Sequence, residues 1–176
     1  MVTRGIVIIP YSERAVFAWF RGSRMSPALQ RPHVLIVSDD AELVGFLGEG
    51  LIYAGFWTST IASALQTLEV FRLRSFDIVI LDAALGGIGA LELVRRLRGH
   101  ADRSQIGERT DVPILVIAGL EREIAMNEEL RATVDQVLVA PIEIEVLAAD
   151  LDRIVTHWRR VHPERRWADE AAFEKR

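Results

Sequence analysis

The fold of this chain is decided by the stretch His33-Val34-Leu35-Ile36-Val37-Ser38-Asp39-Asp40 and by a matching one, Phe76-Asp77-Ile78-Val79-Ile80-Leu81-Asp82. Each is an apolar run of strand length that ends in carboxylates. Uninterrupted apolar runs are typical of parallel strands covered on both faces, and in such sheets the ligand crevice lies at the carboxyl ends of the strands. We therefore predict that Asp39, Asp40 and Asp82 converge at one edge of a parallel sheet.

Three carboxylates gathered at one edge repel one another, and a bound hard cation relieves that repulsion. Mg²⁺ takes oxygen ligands and keeps several of its waters, so the pattern predicts Mg²⁺ as a weakly held cofactor. The chain has no cysteine and only four scattered histidines. This excludes thiolate chemistry and cysteine-ligated metals, and it disfavours a histidine metal site.

The length of 176 residues predicts one well-cored domain with extensions. We expect an N-terminal extension or linker at 1–32, the domain at 33–158 and a tail at 159–176. Residues 33–158 carry ten basic and twenty acidic side chains, so we expect no nucleic-acid partner. No apolar run is as long as a membrane span, and we expect a soluble, cytoplasmic protein with no membrane partner.

The first 32 residues are open to two interpretations. They contain the apolar run Gly5-Ile6-Val7-Ile8-Ile9-Pro10 and later a polar, linker-like segment before the first convincing strand. In one interpretation translation starts at Met25 and the first 24 residues are not made. In the other they form an extra strand or a docking arm.

From His33 onwards, strand patterns alternate with helix patterns. We predict strands at 34–38, 56–60, 77–82, 113–118 and 135–139. The first two helices are predicted at about 41–54 and from 61 to about 74. A third follows the loop at 83–89, and a fourth is predicted at 121–131. The fifth carries an apolar stripe from Ile144 to Trp158. In the second helix we expect Ile61, Leu65, Leu68 and Phe71 to face inward, and we expect residues 99–112 to form a surface insertion. This alternation predicts a doubly wound parallel α/β sheet.

Ser38-Asp39-Asp40 after the first strand, Leu81-Asp82 at the end of the third and Pro141 after the fifth resemble the CheY-like receiver domain of two-component response regulators. The resemblance covers about residues 33–157 and implies a flavodoxin-like (βα)5 fold with strand order 2-1-3-4-5. It implies that Asp82 is the phosphoacceptor for a histidine kinase. It also implies that Asp39, Asp82 and the backbone carbonyl of Ala84 bind Mg²⁺, with Asp40 acting through a water. Ser38 stands where the family usually has another aspartate.

The chain departs from the family pattern at the positions that respond to phosphorylation. Ala118 replaces the threonine or serine that ends strand 4, Ala140 replaces the lysine before Pro141, and Val137 replaces the strand-5 aromatic. The single lysine of the chain is Lys175. A charge-assisted hydrogen bond of the kind that lysine makes to a phosphoryl group is worth about 1.5–3 kcal/mol. Because this bond cannot form here, phosphorylation of Asp82 should change the conformation of the domain little.

We expect a stand-alone, degenerate receiver domain that acts in signal transduction and is not an enzyme. Two hypotheses stay open at this point. The domain is either a phosphorelay receiver that uses Asp82, or a phosphorylation-independent pseudo-receiver that works as a protein–protein interaction module. The face made by the fourth helix, fifth strand and fifth helix is a candidate surface for a homodimer.

Overall fold

The computed structural model describes residues 31–99, 111–119, 128–164 and 168. Within these residues, five strands alternate with five helices. The strands are β1 (His33–Val37), β2 (Trp57–Ile61), β3 (Ile78–Asp82), β4 (Ile114–Ala118) and β5 (Gln136–Val139). The helices are α1 (Ala41–Tyr53), α2 (Ala64–Leu73), α3 (Gly89–Gly99), α4 (Glu128–Thr133) and α5 (Ile144–Val161).

The strands form one parallel sheet in the order β2-β1-β3-β4-β5, which confirms the predicted α/β fold and its 2-1-3-4-5 order. All residues of β3 and β4 are buried, as their continuous apolar sequences predict. In the register of β1 with β3, Val37 lies beside Leu81. The residues that follow these two strands therefore emerge next to each other at the carboxyl edge of the sheet.

Two apolar clusters cover the two faces of the sheet. One contains residues of α1 and α5, and the other contains residues of α2, α3 and α4. The predicted stripe of α5 is confirmed, because Ile144, Leu147 and Leu151 are buried, and Trp158 is half-buried and packs against the second cluster. At Gly50, α1 comes so close to Ile144 that a β-carbon at this position would collide with its side chain. This glycine is therefore needed for the contact between α1 and α5.

The predicted inward face of the second helix is wrong at two positions. Ile61 belongs to β2, and Leu65 is 58% exposed. The reason is that Ser63 caps the helix by accepting a hydrogen bond from the amide of Gln66, so α2 begins only at Ala64. Ala64 and Thr67 consequently face the sheet, and Leu68 and Phe71 pack beside them as predicted.

Parts of other predicted segments lie outside the described residues. They include 1–30, most of the insertion at 99–112 and most of the helix predicted at 121–131, whose described part, α4, continues to Thr133. The predicted tail contacts the domain, because Ala168 is buried and its amide donates to Asp77. None of the described helices has the length and apolar character that crossing a membrane requires.

Candidate functional site

The predicted acidic residues meet at the carboxyl edge of the two central strands. Asp39 follows β1 and is exposed, whereas Asp82 ends β3 and is only 7% exposed. The amide of Gly86, in the loop after β3, donates to Oδ2 of Asp39 over 3.3 Å. The amide of Ala84, in the same loop, donates to Oδ1 of Asp82 over 2.8 Å. One loop therefore contacts both carboxylates.

Asp82 is held on its second oxygen by Ser38. The Ser38 hydroxyl, which is 1% exposed, donates to Oδ2 of Asp82 over 2.7 Å. The same hydroxyl oxygen accepts from the amide of Asp40 over 3.0 Å. Both carboxylate oxygens of Asp82 therefore accept hydrogen bonds from within the domain, which offsets the cost of burying this acid.

Asp40 has a structural role at the start of α1. Its Oδ1 accepts from the amides of Glu42 and Leu43, over 2.9 and 3.1 Å. These are amides of the first helical turn, which have no partner inside the helix. Asp40 thus caps α1 with one oxygen, and the predicted water-mediated role at a metal would fall to its other oxygen.

The departures from the family pattern lie together beside this site. Ala118 ends β4 and is fully buried, and its carbonyl accepts from the amide of Ala140 over 2.9 Å. Val137 is half-buried on β5 and pairs with Val116. The peptide bond between Ala140 and Pro141 is cis. At these positions the chain offers methyl and isopropyl groups where the family offers a hydroxyl, an ammonium group and an aromatic ring.

The atoms at this site that could bind a metal are oxygens, which suit a hard cation better than a soft one. Among the residues that the structure describes, no group of three or more His, Cys, Asp or Glu side chains could hold a metal ion. Mg²⁺, however, commonly binds through one or two carboxylates and keeps several waters. The two carboxylates of Asp39 and Asp82, with backbone oxygen from the loop at Ala84, are a donor set of that kind.

The bond between Ser38 and Asp82 was not predicted, because the family resemblance gives Ser38 only as the replacement for another aspartate. The capping role of Asp40 was not predicted either. The signal for that role was available, since an aspartate directly before an amphipathic segment is typical of a helix N-cap. No local pattern signals the Ser38 contact, which joins residues 44 positions apart.

Comparison with known proteins bears on the identity of this fold and site. The family described as the response regulator receiver domain matches residues 34–152. Transcriptional regulatory protein AfsQ1 of Streptomyces coelicolor is 28% identical over 143 residues, which cover 81% of this chain and 57% of that protein. Probable transcriptional regulator ycf27 of Cyanidium caldarium is 25% identical over 123 residues, which cover 70% of this chain and 46% of that protein. The chain spans about half the length of these curated relatives.

Solved structures share the fold. A CheY-like response regulator receiver domain from Methylobacillus flagellatus superimposes with a TM-score of 0.60 at 24% identity, covering 70% of this chain and 98% of that one. The receiver domain of sensor histidine kinase PA1611 from Pseudomonas aeruginosa, described with a magnesium ion in its active site cleft, gives a TM-score of 0.60 at 20% identity and covers 72% and 98%. The five-stranded order, the acidic edge and the family match over 34–152 together establish that this chain belongs to the response regulator receiver domain family.

Proposed function

We propose that this domain is a receiver in a phosphorelay and that Asp82 accepts the phosphoryl group. The observation that carries the proposal is the pairing of Asp39 and Asp82 at the carboxyl edge of β1 and β3, where one loop donates an amide to each. Such an edge is where parallel α/β sheets bind their ligands. The family membership of residues 34–152 supports the same assignment.

In the proposed reaction a carboxylate oxygen of Asp82 attacks the phosphorus of a phosphohistidine. The new oxygen–phosphorus bond forms as the phosphorus–nitrogen bond breaks, and the nitrogen keeps the electron pair. The hydroxyl of Ser38 and the amide of Ala84 orient the carboxylate, since each donates to one of its oxygens. Bound Mg²⁺ would neutralise negative charge on the transferring group, and Asp39, Asp82 and the carbonyl of Ala84 would hold it.

The response to phosphorylation should be weak in this domain. A hydroxyl at position 118 and an ammonium at position 140 would bond the phosphoryl oxygens and so favour one conformation over another. Ala118 and Ala140 have no side-chain donor, and a modification shifts an equilibrium only through contacts that differ between its two states. We therefore propose that Asp82 is phosphorylated more slowly than in an intact receiver and that β4 and β5 move little.

One observation favours a second candidate function, that of a phosphorylation-independent pseudo-receiver. Both oxygens of Asp82 are already satisfied by Ser38 and Ala84, so the site is compatible with a stable structure that carries neither metal nor phosphate. In that case the domain would recognise its partner through its surface alone.

A phosphodonor experiment separates the two candidates. The purified chain is incubated with Mg²⁺ and acetyl phosphate, and separately with Mg²⁺ and beryllofluoride, and adducts are detected by intact mass and ¹⁹F NMR. An adduct that is lost in Asp82→Asn supports the phosphorelay function. Asp39→Asn should weaken adduct formation at a given Mg²⁺ concentration, whereas Asp152→Asn on the exposed side of α5 serves as the control. If the parent chain forms no Asp82-dependent adduct, the pseudo-receiver function replaces the first proposal.

The partners we propose follow from this assignment. A histidine kinase or another signalling protein would bind at the acidic edge, and the domain itself would not act as an enzyme.

The face of α4, β5 and α5 is our proposal for a homodimer contact. Its exposed apolar side chains Val139 and Val146 support that role. A cytoplasmic location is proposed with it.

A further inference from the structure

Exposed apolar side chains concentrate at one end of the sheet. Of the eight large apolar side chains that are exposed among the described residues, five lie on α1, β2 or α2. They are Ile52, Tyr53, Trp57, Leu65 and Leu73. This concentration is far from the candidate dimer face, where Val139 and Val146 lie. The β2 end of the domain therefore carries an exposed apolar surface, of the kind that marks an interaction site.

A groove of about 740 Å³ runs along β2 at this end. One wall is α1, with Gly45, Gly48 and Ile52, and the other wall contains Leu73 of α2. Residues 58–61 of β2 form its floor. A β-carbon at Gly45 or Gly48 would meet nothing within 4 Å, so these two positions leave the space above the strand open.

The floor of the groove is an open strand edge. In the described sheet β2 pairs only with β1. The amide of Trp57 donates to the carbonyl of Pro32, and the carbonyl of Ile61 accepts from Ser38, so the odd-numbered residues of β2 bond towards β1. Because backbone groups alternate along a strand, those of Thr58 and Thr60 point into the groove. They offer an added strand two donors and two acceptors.

The chain enters the domain beside this edge. Pro32, directly before β1, bonds to Trp57 at the start of β2, and the guanidinium of Arg31 lies 5.6 Å from the centre of the Trp57 ring. Arg31 and Pro32 therefore lie next to the start of β2. Residues 11–30 separate the apolar run that ends at Pro10 from Arg31, and a chain of that length can extend to at most about 70 Å, more than enough to reach either end of a five-residue strand.

We propose that the groove binds the chain's own residues 5–9, Gly5-Ile6-Val7-Ile8-Ile9, as a sixth strand paired with β2. Four consecutive β-branched residues without charge suit both strand pairing and an apolar groove. Pairing through the backbone groups of Thr58 and Thr60 is the mode by which extended segments add to sheet edges. Attachment through a short linker raises the local concentration of the segment, which favours it over a segment from another molecule. This proposal does not depend on phosphorylation of Asp82.

The test measures amide hydrogen exchange at Thr58 and Thr60 by NMR in the full 176-residue chain. The double variant Val7→Pro/Ile8→Pro removes two donors from the proposed strand, and Val16→Pro/Phe17→Pro makes the same change outside it. We expect the two amides to exchange about tenfold or more slowly in the parent and in the control than in the Val7/Ile8 variant. The amide of Ser59, which bonds to β1, is the internal reference.

Two results would overturn the proposal. Equal exchange rates at Thr58 and Thr60 in the parent and in the Val7/Ile8 variant would mean that residues 5–9 do not pair with β2. Protection that disappears on dilution, together with a dimer in sedimentation velocity, would mean that a second copy of the chain covers the edge instead.

Discussion

Ser38 changes the charge of the acidic edge. The resemblance to receiver domains places an acid at this position, whereas the serine hydroxyl donates a hydrogen bond to Asp82. The site therefore contains one negative charge fewer and one donor more. A carboxylate in that place would repel Asp82, and a cation would be needed to offset the repulsion. With serine at position 38, the buried Asp82 is stabilised by a hydrogen bond and needs no bound cation to offset a neighbouring charge.

Removing this hydroxyl should destabilise the domain. In Ser38→Ala, Oδ2 of Asp82 loses a donor and the amide of Asp40 loses an acceptor, and unpaired buried groups cost about 1–3 kcal/mol each. We expect the free energy of unfolding, measured by urea denaturation without Mg²⁺, to fall by roughly 2 kcal/mol. Thr156→Ala, on the exposed side of α5, is the control and should change stability little. An unfolding midpoint equal to the parent's would show that the Ser38 bond contributes nothing.

Ala118 and Ala140 allow a test of the proposal that the domain responds weakly to phosphorylation. In Ala118→Thr/Ala140→Lys the missing hydroxyl and ammonium return, and a charge-assisted bond to the phosphoryl group is worth about 1.5–3 kcal/mol. We expect beryllofluoride with Mg²⁺ to shift amide resonances of β4 and β5 in this double variant far more than in the parent. Adding Asp82→Asn should abolish the shifts. Unchanged β4 and β5 resonances in the double variant would contradict the idea that only these two groups are missing.

At the scale of elements, α1 shows how packing can outweigh propensity. The helix contains Gly45, Gly48 and Gly50, each of which costs a helix interior about 1 kcal/mol relative to alanine. Buried Leu43, Leu47 and Leu51 offset that cost. At Gly50 the missing side chain is itself part of the packing, because Ile144 of α5 occupies its place.

Filling Gly50 should therefore destabilise the contact between α1 and α5 despite the better helix propensity of alanine. We expect Gly50→Ala to cost about 1–3 kcal/mol, the usual range for overpacking a core. Ile144→Ala removes the colliding atoms, so the two substitutions together should cost less than the sum of their separate effects. Thermal or urea unfolding of the four proteins of this cycle measures the coupling. Strict additivity would mean that Gly50 and Ile144 do not meet.

The sequence predicts elements well where one signal dominates. The apolar runs of β1, β3 and β4 and the stripe of α5 were located within about two residues, as is normal for such boundaries. The start of α2 was misplaced because Ile61 fits both a helix face and a strand, and only the Ser63 cap decides between them. Contacts between distant positions, such as Ser38 with Asp82, leave no local pattern in a single sequence.

At the scale of the whole molecule, Asp77 joins the two ends of the described chain. This acid is 1% exposed, and its Oδ2 accepts from the amide of His33 over 2.8 Å. Its Oδ1 accepts from the amide of Ala168 over 3.1 Å, and Arg159 lies 4.0 Å from the same oxygen. The tail is thus fixed at the amino edge of the sheet, a contact between residues 91 positions apart that the sequence did not predict.

Replacing the charged side chain of Asp77 should weaken the contact between the tail and the amino edge of the sheet. Asp77→Asn keeps the shape but turns one acceptor oxygen into a donor facing another donor, and we expect a loss of about 1–3 kcal/mol in the free energy of unfolding. Exchange of the Ala168 amide should accelerate at the same time. Asp152→Asn, on the exposed surface of α5, is the matched control. A slow Ala168 amide in Asp77→Asn would show that Asp77 does not hold the tail.

Asp77 lies directly before β3 and Asp82 ends it, so the tail contact and the acidic edge are at opposite ends of one buried strand. A five-residue strand is about 17 Å long, and the body of the sheet separates the two positions. Ala168 is therefore held on the side of the domain opposite the acidic edge. A substitution that breaks the contact between Ala168 and Asp77 should therefore leave the hydrogen bonds of Asp82 to Ser38 and Ala84 intact.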